Sequence, residues 1–318
     1  MIKPNPQISF VIPLFNEGKV FNSLVERLNS VMAETTLDCE VVFVNDGSSD
    51  NTALLMENIA MADSRYHCVF LSKNHGHQLA LSAGLNYSLG SEAIFVLDGD
   101  LQDPPELLST FYEKYKEGYD VVYAIRKKRK ESYLMKLAYY MFYRILDRIS
   151  YIKIPLDSGD FSLMSRRVVN ILNNMPEKSR YIRGMRTWVG FKQIGIEYQR
   201  DAREEGESKY SLKMLLLLAM EGIFNFSEFP VRFITKMGIT SFILSGIYLT
   251  SVLFKRIFLD TVPVGFTALL VTIILFSSAI LISIGILGEY LLRIFFQSKE
   301  RPLYIIEKEI IEKKIIND

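Results

Sequence analysis

The sequence is short of the residues that metal frameworks and disulfide scaffolds need. In 318 residues there are two cysteines, Cys39 and Cys68, and three histidines, with no CxxC and no Cys/His spacing of a zinc site. Both cysteines lie in or beside apolar runs and read as reduced core residues. Neither GxGxxG nor GxxxxGKS/T follows any strand-like run, which argues against a Rossmann dehydrogenase and a P-loop kinase. Residues 1–7 lack the basic-then-apolar order of a signal peptide, so the large domain is expected to stay in the cytoplasm. The chain has no low-complexity linker and no repeat of 20 to 50 residues. Its length holds one sizeable soluble domain and one small membrane module, and two unrelated catalytic domains would not fit.

Charge of either sign is missing from two stretches, 237–254 and 261–288. Each can reach across a hydrocarbon layer that needs roughly 20 apolar residues. We expect a two-helix transmembrane hairpin with spans at about 234–254 and 263–288, inside a module covering 232–292, and a cytoplasmic tail over 293–318. Arg232 and Lys236 before the first span, with Arg293, Lys299 and Arg301 after the second, outnumber Lys255 and Arg256 in the connecting loop. That bias places both termini in the cytoplasm of a bacterial inner membrane. Glu289 is the nearby acid, at the expected interface, so the hairpin reads as an anchor that positions an acceptor and assembles subunits as a homo-oligomer, with no channel. The formal net charge of +1 hides a basic run over 126–130. After it, Leu134, Leu137, Met141 and Ile145 recur at helical spacing, with Lys136, Tyr140, Arg144 and Asp147 on another face. This predicts a helix over about 131–150, lying either in the membrane surface or against the sheet. A further apolar helix is predicted over 211–231, with Pro230 separating it from the first span.

Residues 1–210 read differently. Short runs rich in Val, Ile and Phe at 8–13, 40–45, 68–71, 93–97 and 120–125 alternate with segments of helical spacing. The alternation predicts an α/β fold, a doubly wound, Rossmann-like sheet with ligands at the carboxyl ends of its strands. The strongest motif is the run at 93–106, where an apolar strand delivers Asp98 and Asp100 at its exit around the small Gly99. Two carboxylates so placed suit a hard divalent cation bridging phosphates, whereas a solvated turn is the plainer reading. Asn45, Asp46, Gly47 and Ser48 form another strand exit, Pro13, Asn16 and Glu17 a third, and Lys73, Asn74 and His75 a fourth. Each alone could be a well-made turn, but four polar exits in order favour a site. His75 and His77 have no third metal ligand nearby and read as surface or phosphate-facing residues. Asp157 and Asp160 flank Gly159 in a turn, where one could serve as base or as an orienting carboxylate.

The order of motifs resembles the polyprenyl-phosphate glycosyltransferases of glycosyltransferase family 2, the group of dolichol-phosphate mannose synthase and the bacterial undecaprenyl-phosphate glucosyltransferases. The likeness rests on Pro13, Asn16 and Glu17; on 45–48; on 98–106; on Gly159, Asp160 and Phe161; on Arg203 to Tyr210; and on the two terminal spans. It covers nearly the whole chain, including 288–290 and 301–304. The resemblance implies a GT-A catalytic domain, a doubly wound, Rossmann-like mixed sheet, and inversion at the anomeric carbon. It implies that Pro13, Asn16, Glu17, Asp46 and Asn74 hold the donor nucleotide, and that Asp98, Asp100 and Gln102 bind Mg²⁺ or Mn²⁺ and the diphosphate. Asp160 matches the catalytic acid of the Gly-Asp-Phe motif, with Asp157 a second candidate and Asp100 beside the reacting groups. Arg203, Ser208 and Lys209 match a loop over the phosphates, while Arg126 and Lys136 fall where lipid phosphate is received.

The expected reaction moves a sugar from a nucleotide-sugar, UDP-glucose or another UDP-hexose first and GDP-mannose second, to polyprenyl phosphate. Repulsion between two phosphate-bearing substrates must be offset, with Arg126, Lys136, Arg203 and Lys209 as the candidate cations. A phosphate monoester is largely ionised at neutral pH, so no strong base is needed. A processive polysaccharide synthase would resemble a Gln-x-x-Arg-Trp pattern with more spans, and here Trp188 follows Arg186 and Thr187 instead. A membrane-tethered nucleotide-sugar sensor is the non-enzyme alternative, and no nucleic-acid partner is expected.

Overall fold

Strands that are apolar on both faces must be covered on both, which is why the first four runs form the centre of a sheet. The computed structural model of the chain describes residues 6–126, 158–199, 229–258 and 265–316. Its central strands are β1 (Ile8–Leu14), β2 (Cys39–Asn45), β3 (Tyr66–Leu71) and β4 (Ala93–Val96), followed by β5 (Val121–Arg126). All five lie where the apolar runs predict them. Between them run α1 (Phe21–Glu34), α2 (Thr52–Ala62), α3 (His77–Tyr87) and α4 (Leu108–Lys116). The periodicity of α1 shows how they attach: Leu24, Leu28 and Val31 recur on one face and are buried. Beyond β5 come β6 (Ser158–Ser165), α5 (Arg166–Asn174), α6 (Ile182–Val189), β7 (Gln193–Tyr198), α7 (Phe229–Phe258), α8 (Phe266–Ser298), β8 (Ile306–Ile311) and β9 (Lys314–Ile316).

Among the described residues the sheet has nine strands in the order β7-β5-β6-β4-β1-β2-β3-β8-β9. The β4-β1-β2-β3 core is parallel, and β6 joins it antiparallel to β4. The result is the mixed sheet expected of a GT-A domain, with antiparallel β6 added to the parallel core that the βα alternation predicts. Cys39 is half-buried and Cys68 buried, both free, and burial pushes the Cys39 thiol up to about 12, as core cysteines require. A line of rings ties the antiparallel addition to the core. Phe10 meets Phe95 at 5.7 Å, Phe95 meets Phe111 at 5.5 Å, Phe111 stacks on Phe161 at 5.3 Å, and Phe161 meets Tyr198 edge-on at 5.3 Å. Such pairs contribute about 0.5–1.5 kcal/mol each beyond their buried area.

The C-terminal segment departs from the expected tail. β8 lies antiparallel to β3, with Cys68 opposite Ile310 and Phe70 opposite Lys308. Ile310 is fully buried, His67 Nε2 lies 2.6 Å from Glu309 Oε1, and Lys308 pairs with Glu57 while its ammonium sits 4.7 Å from the Phe70 ring centre. β8 thus covers what would otherwise be an open edge of the parallel core. The described residues up to 199 and from 301 onward belong to one compact unit, and α7 and α8 belong to a second.

In that second unit α8 has 33 residues, a length of about 50 Å at 1.5 Å per residue. Among the described residues one segment, Phe276–Ser298, is long and apolar enough to cross a membrane. It overlaps the expected 263–288 span and takes in Glu289, which pairs with Arg293 one turn on at 3.2 Å. Pro230 is the second described residue of α7, and the stretch that it was expected to set apart from the first span lies outside the described residues. The predicted helix over 131–150 and most of that over 211–231 lie outside the described residues.

Replacing Ile310 by Ala removes a fully buried side chain from the return strand. We expect a loss of about 2–4 kcal/mol, read as a lower midpoint in thermal unfolding of the detergent-purified protein. A midpoint within a degree of the parent would mean that β8 is not anchored in the sheet.

Candidate active site

The parallel strands β1 to β4 all point their carboxyl ends at one edge, and the polar exits meet there. Between β1 and β4 the chain order reverses, the crevice where open α/β sheets bind ligands. The turns after β1 and β2 are sewn together. Backbone N–H groups of Asn16, Glu17 and Gly18 donate to Ser48 Oγ, Thr52 Oγ1 and Asp50 Oδ2, each at 3.0 Å. In return Asn16 Oδ1 accepts the Ser49 N–H at 2.8 Å, with Asn16 itself in the left-handed region at φ 56°. Pro13 pairs in register with Val44 just below. Asp46 organises the next turn: it is buried, and its carboxylate accepts the N–H groups of His75 at 2.7 Å and Gly76 at 3.0 Å. Its carbonyl accepts Asn74 Nδ2 at 3.1 Å. Burial raises the Asp46 carboxyl above its ordinary range, and the two N–H donors only partly offset that. Gly47 is required here, since its φ is +66° and a Cβ would stand 2.5 Å from Asn74 N and Lys73 C.

The acidic triplet follows β4. A Cβ on Gly99 would lie 2.3 Å from Leu14 Cδ2 and 3.3 Å from Pro13 O, so only glycine lets this turn press against the β1 exit. Leu101 adopts φ 59°, uncommon for its type, and the turn is braced from outside. Arg27 of α1 donates to the Leu101 carbonyl at 3.2 Å and forks onto Glu106 at 2.8 and 3.0 Å. The Gln102 N–H donates to Asp100 Oδ1 at 3.2 Å, which orients that carboxylate. Buried Asp103 accepts the Tyr198 hydroxyl at 2.6 Å. Because the Tyr198 ring also packs on Phe161, next to Asp160, one side chain ties the triplet turn to β6.

Asp160 is the centre of a second cluster. Gln78 Nε2 donates to its Oδ2 at 2.9 Å and Gln78 Oε1 accepts the Ile182 N–H at 2.8 Å, so one amide links the starts of α3 and α6. His77 Nε2 stands 3.5 Å from Asp160 Oδ2 and 3.7 Å from Asp98 Oδ1. Arg183 Nε faces Asp160 Oδ1 at 3.8 Å, and Arg186, buried against Tyr123, reaches the Gly159 carbonyl at 3.4 Å. Burial works against charge on Asp160, but Arg183 first, then His77 and Arg186, hold its carboxyl well below the usual carboxylate range. Burial also lowers His77, yet the bond to Asp160 and the charges of Asp98, Asp160 and Asp46 outweigh it and carry the imidazole up to about 9. Its ring is still 45% exposed, so solvent screens part of that effect. Arg186 falls to about 10 through burial and stays charged at neutral pH.

The structure therefore brings Pro13, Asn16, Glu17, Asp46, Asn74, Asp98, Asp100, Gln102 and Asp160 to one sheet edge. Asp157, Lys136, Arg203, Ser208 and Lys209 lie outside the described residues, and of Arg126 only the backbone, at the end of β5, is described. His77 is exposed, as expected of a surface residue, and it also stands between two acids, while His75 Nε2 is buried. Sequence reading left out Gln78, Arg183, Arg186, Arg27 and Tyr198. Arg183 and Arg186 carry a local signal, arginines three apart on one helix face, but nothing local says which strand that face meets.

Among the described residues no group of three or more His, Cys, Asp or Glu side chains is arranged to hold a metal ion. Asp98 and Asp100 nevertheless fit a hard cation. Mg²⁺ is ordinarily held by one or two carboxylates plus substrate phosphates and water, without an all-protein cage.

A mixed α/β sheet with carboxylate-bearing turns gathered at its carboxyl edge is the GT-A-like arrangement of a glycosyltransferase. The chain belongs to glycosyl transferase family 2, whose model matches residues 9–172. It is 43% identical to the glycosyltransferase YkcC of Bacillus subtilis (strain 168) over 315 residues, 98% of this chain and 97% of that protein. It is 36% identical to the bactoprenol glucosyl transferase of Shigella phage SfV over 304 residues, 95% of this chain and 99% of that one. Of solved structures, Staphylococcus aureus TarS 1-349 in complex with UDP-GlcNAc is similar at TM-score 0.47 and 17% identity, over 69% of this chain and 67% of that one. That likeness is distant, and no residue role is built on it.

Two outcomes follow from this geometry. Gly47→Ala places a methyl against the 73–74 backbone in a left-handed position, which costs about 1–3 kcal/mol; we expect a lower unfolding midpoint, and an unchanged midpoint would uncouple the two turns. For His77, a folded pKa above the unfolded 6.5 means stabilisation that is complete below pH 6.5 and lost as pH rises through about 9. In metal-chelated protein the midpoint gap between the parent and His77→Gln should be widest near pH 6 and shrink by pH 10. A gap independent of pH would show that His77 acts only by packing.

Proposed function

We propose that the chain is an inverting glycosyltransferase that moves a hexose, glucose first, from a UDP-sugar to polyprenyl phosphate at the cytoplasmic face of a membrane. The observation that carries this reading is the meeting of Asp98 and Asp160 at His77, which sets the acid of the triplet beside the acid of the Gly-Asp-Phe strand. Relatives named bactoprenol glucosyl transferases, alike over nearly their whole length, support both the glucose and the isoprenoid acceptor.

In this mechanism the turns after β1, β2 and β3 receive the nucleotide, with Asp46 holding the 74–76 backbone in place and Pro13, Asn16, Glu17 and Asn74 around it. Asp98 and Asp100, with Gln102 beside them, would hold Mg²⁺ or Mn²⁺, which would supply Lewis-acid neutralisation of the departing diphosphate. Asp160, kept ionised by its cations, is a poor proton acceptor. The acceptor needs none, because a phosphate monoester with its second pKa near 6 is already a nucleophile at pH 7. Asp160 instead steadies the positive charge that grows on the sugar ring as the glycosidic bond breaks, a preorganised electrostatic role. Arg126, Lys136, Arg203, Ser208 and Lys209 remain the proposed contacts to the substrate phosphates, with Asp157 as the second acid.

Connectivity supports a two-crossing anchor. The chain leaves the catalytic unit before α7 and returns to it at β8, which pairs with β3. Both ends of the anchor then lie on one side, so the number of crossings must be even, and α7 with 30 residues is long enough to supply the second. The excess of Arg and Lys at the two outer ends over the connecting loop places that side in the cytoplasm. We propose a catalytic domain over 1–210, a membrane module over 232–292, and a C-terminal segment that returns to the sheet.

Membranes containing the protein, supplied with labelled UDP-glucose, undecaprenyl phosphate and Mg²⁺ or Mn²⁺, should yield labelled lipid. Asp160→Asn should lower kcat by about 10²–10³ while UDP binding by calorimetry is retained. No lipid product with any of a panel of nucleotide sugars would end the functional reading, and near-parental turnover in Asp160→Asn would remove that residue from the reaction.

A further inference from the structure

Within the reading just given, α6 supplies a cation that none of the expected phosphate contacts includes. Asp160 is one carboxylate faced by three positive groups, His77, Arg183 and Arg186. They are not equivalent. Arg186 is buried, sits 5.4 Å from the Tyr123 ring centre and reaches the Gly159 carbonyl, so it is a fixed part of the wall. Arg183, one turn earlier, has a side chain that is 26% exposed and stands at 3.8 Å from Asp160, beyond hydrogen-bond length. Its guanidinium also lies 5.9 Å from the Tyr181 ring centre.

A substrate phosphate brought to this spot meets an ionised Asp160. Like charges about 4 Å apart repel by about 4 kcal/mol at an effective dielectric near 20, so a cation must stand between them. Arg183 is placed to do so, because a guanidinium can keep one edge toward a carboxylate and present the other to a phosphate as a two-pronged donor. We propose that Arg183 is a phosphate-binding residue of the active site, bridging Asp160 to a phosphate group of a substrate. The phosphate is either the acceptor monoester or the donor diphosphate, and binding constants separate them.

The test uses full-length protein in detergent with Arg183→Gln and Arg183→Lys. KM is measured for undecaprenyl phosphate and for the nucleotide sugar, and direct binding for UDP and for a short-chain polyprenyl phosphate. For Arg183→Gln we expect at least a tenfold rise in KM and Kd for one phosphate substrate, with a smaller rise in Arg183→Lys, which keeps charge but not the fork. A rise confined to the polyprenyl phosphate assigns the acceptor; a loss of UDP affinity assigns the donor. All four constants within twofold of the parent, whatever kcat does, would overturn the proposal and leave Arg183 as a partner of Asp160 alone. If Arg183→Gln does not fold, Arg183→Lys decides by itself, with a three- to tenfold rise expected and unchanged constants overturning it. A parent protein that transfers no sugar to lipid would overturn the functional reading instead, and the two direct binding constants would still judge Arg183.

Discussion

An ionised carboxylate keeps its charge inside a protein when cations and hydrogen-bond donors replace the water it has lost. Asp160 meets that condition through Gln78 and His77 at the start of α3 and through Arg183 and Arg186 on α6. Three separate pieces of chain must therefore arrive together, and the rest of the catalytic unit can be understood as the means of bringing them. Gln78 is the joint: its amide nitrogen holds Asp160 and its amide oxygen holds the first turn of α6.

The same logic extends to the triplet. Asp98 shares His77 with Asp160, so the two acids are linked through an imidazole as well as through Tyr198, whose hydroxyl holds Asp103 and whose ring rests on Phe161. Beneath both runs the ring series from Phe10 to Phe161, which binds the antiparallel β6 to the parallel core. On the far side of the core β8 caps β3, so the chain that departs into α7 and α8 is tied back to the sheet that carries the site.

Much of this was legible in the sequence because the signals were local. The strand runs at 8–13, 40–45 and 93–97 are rich in Val, Ile and Phe, and a run apolar on both faces has few places to go except the middle of a sheet. The turns at Asp46 and Asp98 were visible as carboxylates at strand exits, and Gly99 as the residue that lets one turn approach another. His77 was underread because a histidine signals nothing about what faces it across the fold. Arg183 and Arg186 were silent for the same reason, since their partner lies on a strand that joins the sheet out of sequence order. The C-terminal strand reads as tail because Ile306–Ile311 is short and carries three consecutive charged residues, with no strand-like alternation. Only the presence of an open edge at β3 makes it a strand.

Binary patterning and glycine placement by themselves determined the strands and the edge at which the acidic turns gather, because backbone sterics and hydrophobic burial act over a few residues, while the family was legible only as a resemblance in the order of the motifs. Which side chains face one another across that edge was decided by tertiary structure. Charge pairing acts through space, and the partners of Asp160 stand some twenty and eighty positions away, at Arg183 and His77, where no sequence pattern connects them.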